Sequence, residues 1–200
     1  MDAGLSGPLE WACHSRPLHP EVESGDLHVV VPFVDGALLA VIDGLGHGPE
    51  AAVAARLAAE TLVAHAGDDP PQLISQCHRA LRGTRGAAIL VLSLSYAGAR
   101  VSWAGIGNVE GWLVRAKQRE ALISHAGVVG YQVSAPRLRS SPLTPGDLFV
   151  LATDGIAMSF IEDLKVGRPD QLTEIIFEKH ARVTDDALVL VARYGGGMAP

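Results

Sequence analysis

The chain has 200 residues, of which 48% are hydrophobic, a formal net charge of −6 and two cysteines. That length and apolar content suffice for one domain with a substantial core, and scattered basic residues exclude the electrostatic footprint of a nucleic-acid binder. The N-terminus lacks a charged start followed by an apolar core, and no apolar run approaches the roughly 18 residues of a membrane span, so a soluble, cytoplasmic protein is expected. Cys13 and Cys77 belong to no C-x-x-C pair and are read as packing residues.

In chain order, residues 1–8 carry glycine and proline and are expected to fray, as are 195–200, at the ends of a single domain spanning 1–200. Residues 9–14 alternate loosely and suit a first edge strand, and the proline-bearing stretch 16–24 suits a loop. Residues 27–34, with the β-branched run Val29-Val30-Val31, and the apolar run 37–42 predict strands. Asp35-Gly36 between them reads as a two-residue type I′ link, so the strands pair antiparallel. That pairing brings Asp26, at the start of one strand, beside Asp43, at the end of the other. Three glycines follow, Gly44, Gly46 and Gly48, before Pro49 opens an alanine-rich helix to His65. A second helix is predicted over 70–81. Runs at 87–96, 100–105, 109–116 and 120–124 predict four more strands, and the glycine- and proline-rich stretch 127–145 an irregular surface loop. The uninterrupted apolar run 148–152 predicts a buried strand ending in Thr153-Asp154-Gly155. Helices over 156–163 and 169–181 follow, then a last buried strand, 187–192, preceded by Thr184-Asp185-Asp186. Helices in pairs and strands at both ends of the order predict two sheets covered by helices, an α/β sandwich.

Four acids share one grammar. Asp43 and Asp154 each follow an apolar strand and precede a glycine; Asp26 and Asp185 each stand just before a strand. Strand ends gather at sheet edges, so four strands can pool four carboxylates in one cleft. Like charges a few ångströms apart raise one another's pKa unless a cation sits between them, and Arg182 is the only lysine or arginine close in sequence to any of the four. Divalent ions answer the problem, and all-oxygen ligands select Mg²⁺ or Mn²⁺ over zinc. Two such ions would generate hydroxide at neutral pH and clamp a phosphoryl oxygen. The competing reading is that individual acids merely cap helices or turns.

Asp43-Gly44-Leu45-Gly46-His47-Gly48, Thr153-Asp154-Gly155 and Thr184-Asp185-Asp186-Ala187, with Ser24-Gly25-Asp26 ahead of them, resemble the PPM-type (2C-like) metal-dependent serine/threonine phosphatases over residues 24–191. The short form and Gly105-Ile106-Gly107-Asn108-Val109 resemble the SpoIIE-like branch, and within it the RsbX-like phosphatases of stressosome signalling. The resemblance implies a four-layer α-β-β-α sandwich of two mainly antiparallel sheets flanked by helices, with two Mn²⁺ or Mg²⁺ ions at the sheet edge. It implies that Asp43 bridges the ions, that Gly44 offers its carbonyl to one, that Asp154 and Asp185 bind the other, and that Asp26 is aimed at the same cluster. Asp186 is the alternative to Asp185. The implied substrate is phosphoserine or phosphothreonine on a STAS-domain stressosome protein or anti-sigma-factor antagonist.

The sequence departs from the family at three points. Asn108 stands where many relatives carry an aspartate able to hold a third metal. Their phosphate-binding arginine near the N-terminus has no motif here; Arg16 is offered for it, against an ordinary solvated loop arginine. His47 lies two residues beyond the relatives' catalytic histidine and is either a general acid for the leaving alkoxide or a helix cap. No C-x₅-R surrounds either cysteine, which excludes the tyrosine-phosphatase route. Two rival readings are a catalytically silent sandwich that binds a partner and a hydrolase of small phosphate esters. Residues 127–145 and the segment after Asp154 are the expected docking surfaces.

Overall fold

The computed structural model describes residues 1–116, 118–133 and 135–196. β3 (Asp26–Phe33) and β4 (Gly36–Gly44) form the antiparallel hairpin expected from their sequences. Its last pair is Phe33 with Gly36, so the linking residues are Val34 and Asp35, and only Asp35 has a positive φ, 59°. A type I′ turn needs positive φ at both positions, so the expected Asp35-Gly36 link is shifted by one residue and of another kind. Gly36 belongs to the strand, paired with Phe33 and Ser95, and only glycine fits there, because a Cβ would collide with the Leu94 carbonyl and the Phe33 ring.

β5 (Ala87–Ser95), β6 (Arg100–Ile106) and β11 (Arg139–Pro142) complete a five-stranded sheet of order β11-β6-β5-β4-β3. A six-stranded sheet joins β1 (Asp2–Ser6), β2 (Leu9–Arg16), β13 (Ala187–Tyr194), β12 (Leu148–Ala152), β7 (Glu110–Arg115) and β8 (Gln118–Ala121), in that order. Both sheets are antiparallel throughout.

Other expectations are modified as well. Asp2–Ser6, within the stretch expected to fray, form β1, which pairs with β2 along its length, so β2 is interior and β1 takes the edge. At the other end, Gly195 donates its N–H to the Pro8 carbonyl at 2.8 Å, and the remainder of the expected frayed tail, 197–200, lies outside the described residues. The stretch 127–145 is not one irregular loop, since it contains β9 (Gly127–Val128), β10 (Gln132–Val133) and the edge strand β11. The helix expected over 156–163 is only the single turn α3 (Phe160–Asp163), because Ile156 is drawn into a bridge with Ala181.

The layers follow from the period-two alternation of each strand. On β4, Leu39 and Val41 face the other sheet, where they meet Phe149, Leu151, Leu188 and Leu190. Leu38, Ala40 and Ile42 face outward, under α1 (Pro49–Ala64) and α2 (Pro70–Ala80), against Leu62, Leu73, Ile74 and Cys77. Buried on both faces, β4 has no reason to alternate apolar with polar, which is why its sequence is a continuous apolar run. Buried alanines 51, 54, 55 and 58 let α1 approach the sheet closely. On the far side, α3 and α4 (Pro169–His180) cover Val150, Val189 and Val191 with Phe160, Leu172 and Ile176. The result is the four-layer α-β-β-α sandwich. No helix among the described residues is long and apolar enough to cross a membrane.

A candidate metal centre at the sheet edge

Strand register assembles the site. Asp26 and Asp43 are direct cross-strand partners in the β3–β4 ladder. Thr153, the first residue beyond β12, donates its hydroxyl to Asp26 Oδ2 at 2.7 Å and accepts the Leu188 N–H at 3.0 Å, so the two sheets are tied where the acids sit. Asp154 is the next residue, and Asp185 lies on the loop entering β13, where its Oδ1 accepts the Asp186 N–H at 2.9 Å. All four expected acids therefore belong to one electrostatic cluster: the Asp154 charge acts on Asp26, Asp43 and Asp185 alike.

The cluster is costly as it stands. Burial first, and then the charges of Asp154, Asp185 and Asp186, push the Asp43 carboxyl up to about 7. Asp26, only 3% exposed, is held well above the carboxylate range by burial and the facing Asp43, against the Thr153 hydrogen bond. Burial and Asp154 raise Asp185 too, while the Asp186 N–H and His47 favour its ionised form. Among the described residues no lysine or arginine forms an ion pair with any of the four. Nor, among those residues, is any group of three or more His, Cys, Asp or Glu side chains arranged, as they stand, to hold a metal ion. What the structure offers is an open, all-oxygen, uncompensated set of carboxylates, the donor chemistry of hard divalent cations with water completing the shell.

Asp185 and Asp186 separate cleanly. Asp186 is 3% exposed and both its oxygens are spent on backbone, Oδ1 on the Leu18 N–H at 2.6 Å and Oδ2 on the Gly25 N–H at 2.7 Å. It fixes the loop that delivers Asp26, and Asp185 is the freer carboxylate. Gly44 is buried beside Gly25, whose carbonyl accepts the Gly44 N–H at 2.9 Å; a Cβ on Gly44 would collide with the Ala51 carbonyl. Gly46 and Gly48, at φ 84° and 76°, give the loop its left-handed turns.

His47 is exposed at the rim, its Nδ1 3.3 Å from Glu21 Oε1. It does not cap α1, whose N-cap is Gly48 with no side-chain bond. Arg16 is on β2 rather than in a loop, pairs with Ala187 across the ladder, donates Nη2 to the Arg182 carbonyl at 2.5 Å and lies 5.6 Å from the Phe177 ring centre. Asn108 donates Nδ2 to Asp154 Oδ2 at 2.6 Å. Asp186, the alternative to Asp185 in the sequence, is the acid spent on backbone. The role of Thr153 escaped sequence reasoning; a hydroxyl closing an otherwise apolar strand is the signal that could have marked it.

Comparison with known proteins agrees with this architecture. The family described as Stage II sporulation protein E (SpoIIE) matches residues 34–195. The phosphoserine phosphatase RsbX of Bacillus subtilis (strain 168) is 24% identical over 135 residues, covering 66% of this chain and 67% of that protein. A solved structure described under the bacterial stressosome, as a modular system adapted to control secondary messenger signalling, is 30% identical, with a TM-score of 0.85 over 92% of this chain and 99% of its own. The crystal structure of RsbX in complex with magnesium, 17% identical, shares the fold with a TM-score of 0.87 over 96% of this chain and 98% of its own. With the family match running through the β3–β4 turn to the end of β13, the chain belongs to the SpoIIE family.

Proposed function

We propose that this chain is a metal-dependent phosphatase acting on phosphoserine or phosphothreonine of a bacterial stress-signalling protein, a STAS-domain stressosome or anti-sigma-antagonist protein, in the cytoplasm. The observation that carries the reading is the cross-strand Asp26–Asp43 pair, with the charge of Asp154 acting on both and that of Asp185 on Asp43. The similarity to a phosphoserine phosphatase and to a stressosome structure supports the substrate class, and the magnesium complex of RsbX supports the metal. Asp43 and the Gly44 carbonyl, with Asp26, Asp154 and Asp185, would hold two Mn²⁺ or Mg²⁺ ions. Bound there, the ions supply charge neutralisation for a phosphoryl group and a water that ionises near neutral pH.

The remaining work falls to the chain itself. Thr153 orients Asp26 through its hydroxyl. The loop from Gly44 to Gly48 carries only two side chains, Leu45 and His47, so a phosphate ester can approach the acids closely. His47, exposed at the rim, would protonate the departing serine or threonine oxygen as the P–O bond breaks and water adds to phosphorus, giving alcohol and inorganic phosphate. No cysteine serves as nucleophile: both are buried, and burial pushes the Cys77 thiol up to about 12.

Phosphate release from a phosphothreonine protein with Mn²⁺, measured beside Asp43→Asn, tests the reading. Wild-type turnover abolished by the substitution is expected. Equal turnover in both, or none in either, overturns it; release from p-nitrophenyl phosphate alone reassigns the chain to small esters.

A further inference from the structure

Gly46 and Arg85 come together by an extension of the β4–β5 pairing. The ladder ends with Gly44 opposite Ala87, and one step further the Leu45 N–H still donates to the Gly86 carbonyl at 3.0 Å, so the next residues outward to meet are Gly46 and Arg85. The contact is close: a Cβ on Gly46 would lie 2.7 Å from Arg85 Nη1. The segment that carries the arginine is fixed. Gly86, at φ 80°, has no room for a Cβ against the Val129 carbonyl and donates its N–H to Thr84 Oγ1 at 3.0 Å, while that hydroxyl donates to the Leu81 carbonyl at 2.7 Å. Beside this contact opens a cavity of about 410 Å³, lined by Glu50, Val53, Gly83, Thr84 and Arg85. Glu50 Oε2 lies 2.5 Å from Arg85 Nη2, with the two side chains 71% and 46% exposed. Exposed pairs of this kind are weak, so the guanidinium can exchange one carboxylate for another at little cost.

We propose that Arg85 and this cavity form a docking subsite for an acidic side chain of the substrate, an aspartate or glutamate two residues from the phosphoserine or phosphothreonine, with Glu50 as the stand-in when no substrate is docked. The proposal rests on the phosphatase reading above. Gly46 is two residues from Gly44, at most about 7 Å of chain. A carboxylate on Arg85 is therefore within reach of an extended peptide whose phosphoryl group is at the acids, since alternate side chains of such a peptide share one face. The guanidinium fork suits a carboxylate, and Val53, 42% exposed, gives the methylenes of that side chain an apolar wall.

Turnover of three phosphothreonine peptides with Mn²⁺, carrying Glu, Ala or Lys at both positions two residues from the phosphothreonine, provides the test. Fluorescence anisotropy of labelled, non-hydrolysable phosphonate analogues reads binding independently of chemistry. Wild type should favour the Glu peptide over the Ala peptide by about 10-fold in KM, with kcat changing less. Arg85→Ala should abolish that preference, and Arg85→Glu should invert it toward the Lys peptide, which loss of a merely structural arginine would not do. Glu50→Gln, which frees the guanidinium, should tighten binding of the Glu analogue by up to about 5-fold. No preference in wild type, a preference that survives Arg85→Ala, or an equal loss on all three peptides would overturn the subsite. A wild type that binds the Glu analogue preferentially but hydrolyses no peptide fails the phosphatase reading and leaves the subsite standing; one that neither binds nor hydrolyses any of them overturns both.

Discussion

Asp26 and Asp43 face each other directly across the β3–β4 ladder, two carboxylates at a position where like charges weaken a sheet. The folded pKa of Asp43 lies at about 7, raised by burial and then by Asp154, and that of Asp26 is raised well above its ordinary value by burial and then by Asp43. A carboxyl whose folded pKa exceeds its unfolded value of 3.8 binds more protons in the folded state between the two. Its stabilising contribution is thus complete below pH 3.8 and lost as pH rises through the folded value of about 7. In chelator, the thermal midpoint is expected to fall between pH 5 and pH 8, Asp43→Asn to flatten the fall, and Mn²⁺ to restore the midpoint at pH 8. A midpoint that rises over this range without metal would show that these acids do not carry the cost.

Asp185 and Asp186 are adjacent and chemically identical, yet opposite effects are expected on removing them. Asp186→Ala strands the buried N–H of Gly25 and the part-buried N–H of Leu18, and an unsatisfied buried donor costs about 1–3 kcal/mol, so urea unfolding should lose at least about 1–3 kcal/mol with or without metal. Asp185→Ala removes a carboxylate repelled by Asp154, so metal-free stability should hold or rise while Mn²⁺ affinity drops. The reverse pattern would make Asp186 the ligand.

The contrast shows what local sequence can and cannot specify. The Asp26–Asp43 pair was legible because one tight turn and two apolar runs determine a hairpin, and a hairpin determines which ends meet. Likewise the burial of β4 and β12 on both faces is written in their unbroken apolar runs. The exact turn residues were not legible, because Gly36 answers to the distant Leu94 carbonyl and not to turn chemistry. β11 was hidden for a related reason: its Arg139-Ser140-Ser141-Pro142 carries no apolar pattern, and it is a strand only because β6 has a free edge beside it. The bond from Asn108 to Asp154 spans 46 residues and depends on the β7–β12 register, which no local pattern announces.

Gly155 tests how tightly the two acidic turns are coupled. A Cβ there would fall on the Asp186 carbonyl and crowd Ala187, so Gly155→Ala must displace the turn bearing Asp154, the turn bearing Asp185, or both. Overpacking of this kind costs about 1–3 kcal/mol. A fall in Mn²⁺ affinity should accompany the lost stability, whereas Gly67→Ala, with nothing within 4 Å of the added carbon, should change neither. Lost stability with wild-type Mn²⁺ affinity would mean that the acids tolerate movement of these turns.

His47 is the member of the glycine-rich motif whose role depends most on the substrate. It is exposed, belongs to no cap, and has Glu21 Oε1 3.3 Å from Nδ1, leaving Nε2 as the nitrogen free to face a substrate. A general acid matters in proportion to the basicity of the leaving group: an alkoxide needs the proton, a p-nitrophenolate does not. His47→Ala is therefore expected to lower kcat on a phosphothreonine protein by about 10²-fold while leaving kcat on p-nitrophenyl phosphate within a few-fold of wild type. Glu21→Gln, which keeps a partner but removes its charge, should produce a smaller loss on the phosphoprotein alone. Equal losses on both substrates would point to a role in shaping the loop, and no loss on either would remove His47 from the chemistry and leave the leaving oxygen to be protonated by solvent.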